Sequence, residues 1–211
     1  MVRNILIGGV VALVGLLGFA YTRPDVVHIE RSAEMSAPPD VVFAHIEDFH
    51  AWERWSPWGD LDPKMKLEYG GATHGPGATY TWAGNADVGK GRMEITTAQA
   101  PTAVDIQLDF LEPVEAHNRI RFQLTPNGPT TRVVWSMEAP QDMVSKVAGL
   151  FMNLDALIGK DFEKGLTRLT KVSEAAAEEA RHKVEEAQKA RAAAEAAIAA
   201  QEAIRTPPPT P

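Results

Sequence analysis

The chain has 211 residues, a formal net charge of -7, 45% hydrophobic residues and no cysteine. That length suits one domain with appendages. The acidic balance and the lack of a Lys/Arg stripe argue against a nucleic-acid partner, since phosphate recognition needs clustered cations; without cysteine there is no disulfide, thiol nucleophile or Cys-ligated metal.

Residues 5–21 form an uncharged apolar run bracketed by Arg3 and Arg23, with Tyr21 at its end. As a helix it spans roughly 25 Å, slightly less than the ~30 Å hydrocarbon core of a bilayer. The expectation is a membrane anchor over residues 1–23. A cleaved signal peptide is one alternative, because Gly18 and Ala20 supply small residues at cleavage-site spacing; a buried core helix is another, disfavoured by its four glycines.

From Val26 the apolar period becomes two. Val27, Ile29, Ala33 and Met35 share a strand face, and Arg31 falls on that same face. "SAPPDVVFAHIEDF" then predicts a short helix capped by Ser36, with Val42, Ile46 and Phe49 as its apolar stripe.

"AWERWSPWGDLDP" follows, placing Trp52, Trp55 and Trp58 at intervals of three. Pro57 biases Ser56 away from helical backbone, so any helix ends near Trp55 and the indoles cannot share one flat stripe. Three roles stay open for them: packing under the sheet edge, the rim of a pocket, or contact with a membrane interface.

Strands are predicted over residues 64–69, 78–83, 91–97, 103–110, 118–125 and 130–137, punctuated by Gly, Pro and Asn. Three alternate cleanly, as an antiparallel sheet with one wet face requires: Val104, Ile106, Leu108 and Phe110; Ile120, Phe122 and Leu124; Val133, Trp135 and Met137. Asn127-Gly128 is a hairpin signal.

After "APQD" the period returns to 3.6, predicting one long helix from Met143 with Phe151, Leu154, Ile158, Phe162 and Leu169 along its stripe. Gly149, Gly159 and Gly165 interrupt it, either for close packing against the sheet or to leave room for a ligand. Beyond residue 173 an Ala-rich, charged segment reads as a solvated helical extension over 174–205, for which no protein partner is assigned. "TPPPTP" at 206–211 cannot be helical.

The order β-α-β6-α, with "HIERSAEMSAPPDVVFAHIEDFHAWERWSPW", "GPGATYTWAGN", "GKGRMEIT" and "LFMNLDALIGKDFEKGLTRL", resembles the SRPBCC superfamily and its polyketide cyclase/dehydrase-like, START-related group. The resemblance covers residues 28–173 and implies an α+β helix-grip domain over 24–173: a curved antiparallel sheet wrapped round the C-terminal helix. It also implies a cavity for a hydrophobic or amphipathic small molecule or lipid. Many such bacterial proteins begin with an apolar segment, and by that habit the domain is expected outside the cytoplasm, tethered by a single-pass helix.

On this reading the cavity or its rim draws on Trp52, Trp55, Trp58, Tyr80, Trp82, Phe110, Phe122, Trp135, Phe151, Leu154 and Ile158. Arg31, the one charge that parity sends inward, either pairs with a carboxylate near the sheet's end or anchors an acidic head group. No nucleophile triad, phosphate loop or His-Glu metal motif appears. His45, Asp48 and His50 cluster in sequence, but 45 and 50 lie about 140° apart on a helix. No catalytic residue, metal or cofactor is assigned. Binding is the favoured function; a cyclase or dehydratase-type enzyme and an interaction module working through the C-terminal helix are the alternatives.

Overall fold

The computed structural model describes residues 2–205, and the Pro-rich 206–211 segment lies outside them. Helix α1, Val2–Tyr21, matches the apolar run. Apart from buried Ala20 and half-buried Leu16, its described side chains are exposed. Among the described residues no helix is long and apolar enough to cross a membrane, which corrects the expected transmembrane helix. The apolar side chains described in α1 run over residues 6–21, ~24 Å of helix against a ~30 Å hydrocarbon core.

Seven strands build one antiparallel sheet: β1 (Val26–Met35), β2 (Lys66–Gly71), β3 (Ala78–Ala83), β4 (Lys90–Gln99), β5 (Ala103–Glu112), β6 (Ala116–Asn127) and β7 (Thr130–Pro140). Their order is β1-β7-β6-β5-β4-β3-β2, so the first strand joins the last and the rest form a meander. Register shifts in β4, at Lys90/Gly91 and Ile95/Thr97, are bulges of the kind that bend a sheet. Between β6 and β7 the connection is Gly128-Pro129, with Gly128 at φ +60°. Proline cannot take a positive φ in the second position, so the turn is of type II′, displaced by one residue from the Asn127-Gly128 signal.

Helix α2 (Pro39–Ile46) follows β1. Its N-cap is Pro38, without a side-chain cap. The predicted cap, Ser36, instead donates its backbone N–H to Glu174 Oε1 at 2.8 Å. Two 3-10 turns, Phe49–Arg54 and Trp58–Asp60, carry the tryptophan segment.

The helix predicted from Met143 is two helices, α3 (Met143–Ala148) and α4 (Leu154–Arg205). Gly149 closes the first, and Asn153 Oδ1 opens the second by accepting from the backbone N–H of Ala156 at 3.0 Å. Apolar periodicity runs through the break, whereas the capping chemistry divides it. Helix α4 lies against β1 and α2, burying Phe162, Leu166 and Leu169. Packing continues past residue 173 to Ala177, 3% exposed. From residue 178 to 201 every side chain is exposed.

Candidate functional site

The inner face of the sheet is filled first by indoles. Trp52 and Trp55 donate their Nε1–H groups to the carbonyls of Ile46 (3.0 Å) and His45 (3.1 Å). These carbonyls sit at the C-terminal end of α2, where no helical donor is left to reach them. So the two residues cap one helix while their rings close the core, with centroids 4.5 Å apart. Trp135 rises from β7 to meet Trp52, Trp55 and Trp58 edge-on, with Phe122 at 4.8 Å, and stacks on Phe162 of α4 at 4.1 Å. Trp58 is half-buried at the margin of this cluster. Its turn is clasped onto α4 through Asp60, which pairs with Arg168 and Lys164. The Arg168 and Lys164 hydrogen bonds pull the Asp60 carboxyl down to about 2.

Two glycines of α4 make this packing possible. A Cβ at Gly165 would lie 2.7 Å from the Trp135 ring, and one at Gly159 would lie 2.0 Å from Arg31 Nη2. The room left by the missing side chains is taken by the protein's own groups. Arg31 fills the Gly159 notch with all five donors engaged: Nε to Glu163, Nη1 to Asp155 and the Glu30 carbonyl, and Nη2 to the Asp155 carboxylate and carbonyl. These partners hold the guanidinium charged, and no donor remains for an acidic head group.

Along β2–β5 the inner face carries a second run of rings. Tyr69, Tyr80, Trp82 and Phe110 follow one another at centroid distances of 5.5, 6.1 and 5.6 Å. Trp82 packs against Gly91, its cross-strand partner, where a Cβ would meet its ring at 2.2 Å, and donates to the Val88 carbonyl at 3.0 Å. Tyr80 and Phe110 are only half-buried. Burial, then the nearby Glu53, pushes the Tyr80 hydroxyl up to about 12, so it stays a protonated donor. Leu154 and Ile158 of α4 are half-buried against the same core, whereas Phe151 is 76% exposed in the α3–α4 connection, away from the other predicted cavity residues.

Sequence parity also sends Asn118 inward, since it shares a face with Ile120 and Phe122. It was not singled out from the sequence. Asn118 is 5% exposed, opposite Leu108 on β5, and its carboxamide makes no side-chain hydrogen bond among the described residues. The Trp135 Nε1–H, four residues from the Asn118 level in the β6–β7 register, is buried without a partner; that separation is about 13 Å along the strands. Buried polar groups are rarely left unpaired in native proteins; Trp135 Nε1 is such a group, whereas the Asn118 carboxamide, though inward, keeps some access to solvent.

His45 and His50 do not share a site. Arg54 donates to His45 Nδ1 at 3.0 Å, and His50 faces Asp48 at 3.0 Å. Two depressions lie elsewhere. A groove of about 390 Å³ on the polar face of β5–β7 is lined by Asp105, Gln107, Arg119, Arg121 and Glu138. A recess of about 160 Å³ lies beside Phe49, His50 and Tyr69. Neither is lined by the residues predicted for the cavity.

The sequence model of the family described as "Polyketide cyclase / dehydrase and lipid transport" matches residues 26–174. No curated protein sequence matches the chain. Among solved structures, a protein from Chromobacterium violaceum is similar at 14% identity and TM-score 0.51, over 72% of this chain and 99% of that one. The Aha1 dimer from Colwellia psychrerythraea is similar at 16% identity and TM-score 0.51, over 70% and 96%. The di-domain ARO/CYC StfQ from the steffimycin biosynthetic pathway is similar at 10% identity and TM-score 0.53, over 72% of this chain and 52% of that one, so the chain spans about half of the di-domain protein. At such identities these likenesses show the fold alone.

Proposed function

Because the chain belongs to the polyketide cyclase / dehydrase and lipid transport family, we propose that it binds a hydrophobic or amphipathic small molecule or lipid, and that α1 holds it at a membrane. The observation that carries the binding reading is Asn118: an inward, unpartnered carboxamide on a face whose neighbouring strands carry half-buried rings. Apolar walls with a few placed polar groups are what small-molecule sites are made of. Asn118 supplies a donor and an acceptor for a polar end, and Tyr80, Trp82 and Phe110 supply the surface for an apolar body. The tether rests on the exposed apolar side chains of α1, which the domain itself leaves uncovered.

The test is purification of the full chain under native conditions, with extraction and mass spectrometry of what accompanies it. Titration with a fluorescent fatty acid should show saturable binding, weakened about tenfold in Asn118→Leu, the size of one net hydrogen bond. No enriched compound and no saturable probe binding would reject the proposal.

Asp161 of α4 favours a second reading, catalysis of cyclase or dehydratase type. It is half-buried, burial raises its carboxyl above the usual range, and no ion pair or side-chain hydrogen bond holds it among the described residues. A carboxyl whose pKa is raised by burial holds its proton more readily than an exposed one, which is the direction a general acid needs, although nearby Lys164 opposes it. Chemical change of the co-purifying compound during incubation would decide for this reading.

A further inference from the structure

The exposed large hydrophobic side chains of the domain gather at one pole. Strand β1 begins there opposite the end of β7, β5 turns into β6 there, and α3 and the start of α4 lie there. Val114 in the β5–β6 turn is 69% exposed, Val144 of α3 is 74% exposed, and Phe151 and Met152 project from the α3–α4 connection. At the opposite pole the turns present Gln99, Thr102, Asn127 and Thr130 and expose no large hydrophobic among the described residues; the exposed Val184 and Ile198 lie further out, on the α4 extension. A scattered exposed leucine needs no explanation, but a one-sided collection on several separate loops does.

Helix α1 leaves from this same pole. Only residues 22–25 separate it from β1, and four residues reach at most ~14 Å. The joint is also fastened: Lys146 of α3, buried, pairs with Asp25, and the Gln141 N–H donates to the Asp25 carbonyl at 2.8 Å. Wherever α1 lodges, this pole is held next to it.

We propose that this pole is a docking surface for a lipid bilayer, with Val114, Val144, Phe151 and Met152 entering the interfacial zone. The proposal rests on the reading of α1 as a membrane-seated helix. It names the occupant by reach, since a short fastened joint brings the bilayer holding α1 to these side chains. Contact is apolar: the surrounding charges, Arg23, Lys90 and Lys146 against Asp25, Glu112, Glu115 and Asp142, are of mixed sign, with Lys90 paired to Glu112 and Lys146 to Asp25. Docking is therefore insensitive to salt.

The absence of cysteine permits a direct test. Full chains carrying Phe151→Cys, Val114→Cys, Leu13→Cys or Thr130→Cys are labelled with a small environment-sensitive fluorophore and mixed with phosphatidylcholine vesicles in low and high salt. Quenching is compared between aqueous iodide and nitroxide-bearing lipid. The expected result is severalfold protection from iodide, with quenching by lipid nitroxide, at 151 and 114 in both salts, and neither effect at 130. If the probe at 13 enters lipid while those at 151 and 114 stay open to iodide, α1 is seated and docking is refuted. If the probe at 13 stays in water too, the reading of α1 fails with it. Iodide protection at 151 without vesicles would assign the surface to self-association and refute docking on lipid.

Discussion

Gly165 and Gly159 show how a missing side chain is used at the scale of one residue. Alanine in a helix interior is favoured over glycine by about 1 kcal/mol. At Gly165, however, the new methyl meets the Trp135 ring and Pro57 Cδ, both fixed in the core, and overpacking costs about 1–3 kcal/mol. Gly165→Ala is expected to lower the melting temperature by about 3–6 °C. Gly159→Ala meets only the tip of Arg31, a long side chain with exposed partners, and is expected to cost less; equal losses in thermal unfolding would refute the distinction. His45 makes a second prediction. Arg54 donates to its Nδ1, so Nε2 carries the proton and is buried unpartnered. Burial, then Arg54, lowers its pKa. Stability from a neutral buried imidazole is complete above the unfolded value of ~6.5 and is lost as pH falls through the depressed folded value. Melting temperature measured from pH 7 down to pH 5 should fall less steeply in His45→Gln than in the parent. His117, whose pKa Asp109 raises, contributes with the opposite sign and is common to both proteins. Asn118 was legible in the strand parity of the sequence; its lack of a partner was not, because that depends on what the facing strand and helix offer.

Among the elements, the strands were legible because a half-wet sheet writes its period into the chain. The 104–110, 120–124 and 133–137 alternations all face the core as parity requires. Arg31 was legible as inward, but its five acceptors come from residues up to 132 positions away and no local pattern announces them. The tryptophan segment was legible as a broken helix. That Trp52 and Trp55 would cap α2 followed only once their rings had a core to enter. At the far end of the domain, periodicity placed the boundary at residue 173, whereas contacts continue one turn further through Glu174 and Ala177. Truncation after Ser173 should therefore lower the melting temperature by several degrees, and truncation after Arg181 should leave it nearly unchanged. A differential scanning measurement on both checks this, and identical curves would mean that the extra turn contributes nothing.

For the whole molecule, the antiparallel sheet and the gripping helix were legible because the resemblance covers them, whereas the pairing of the first strand with the last was not predicted. The packing of the interior and the crowding of exposed apolar side chains at one pole were not, since they depend on where separate loops meet. The two appendages leave from opposite poles. Helix α1 departs where β1 begins, while α4 starts near that pole, passes Ser36 beyond the far end of β1, and continues into open solvent. Its exposed part, residues 178–201, is ~36 Å long at 1.5 Å per residue. A flexible chain of that length would have an end-to-end distance of about 27 Å in any direction. The packed half of α4 has already met the cost of helix nucleation, and Glu179–Lys183, Glu185–Lys189 and Arg191–Glu195 pairs brace the rest. The extension thus works as a stiff spar rather than a leash: whatever is fused or bound to its tip is set at a defined height and bearing above the domain, and each inserted residue would turn that bearing by about 100°.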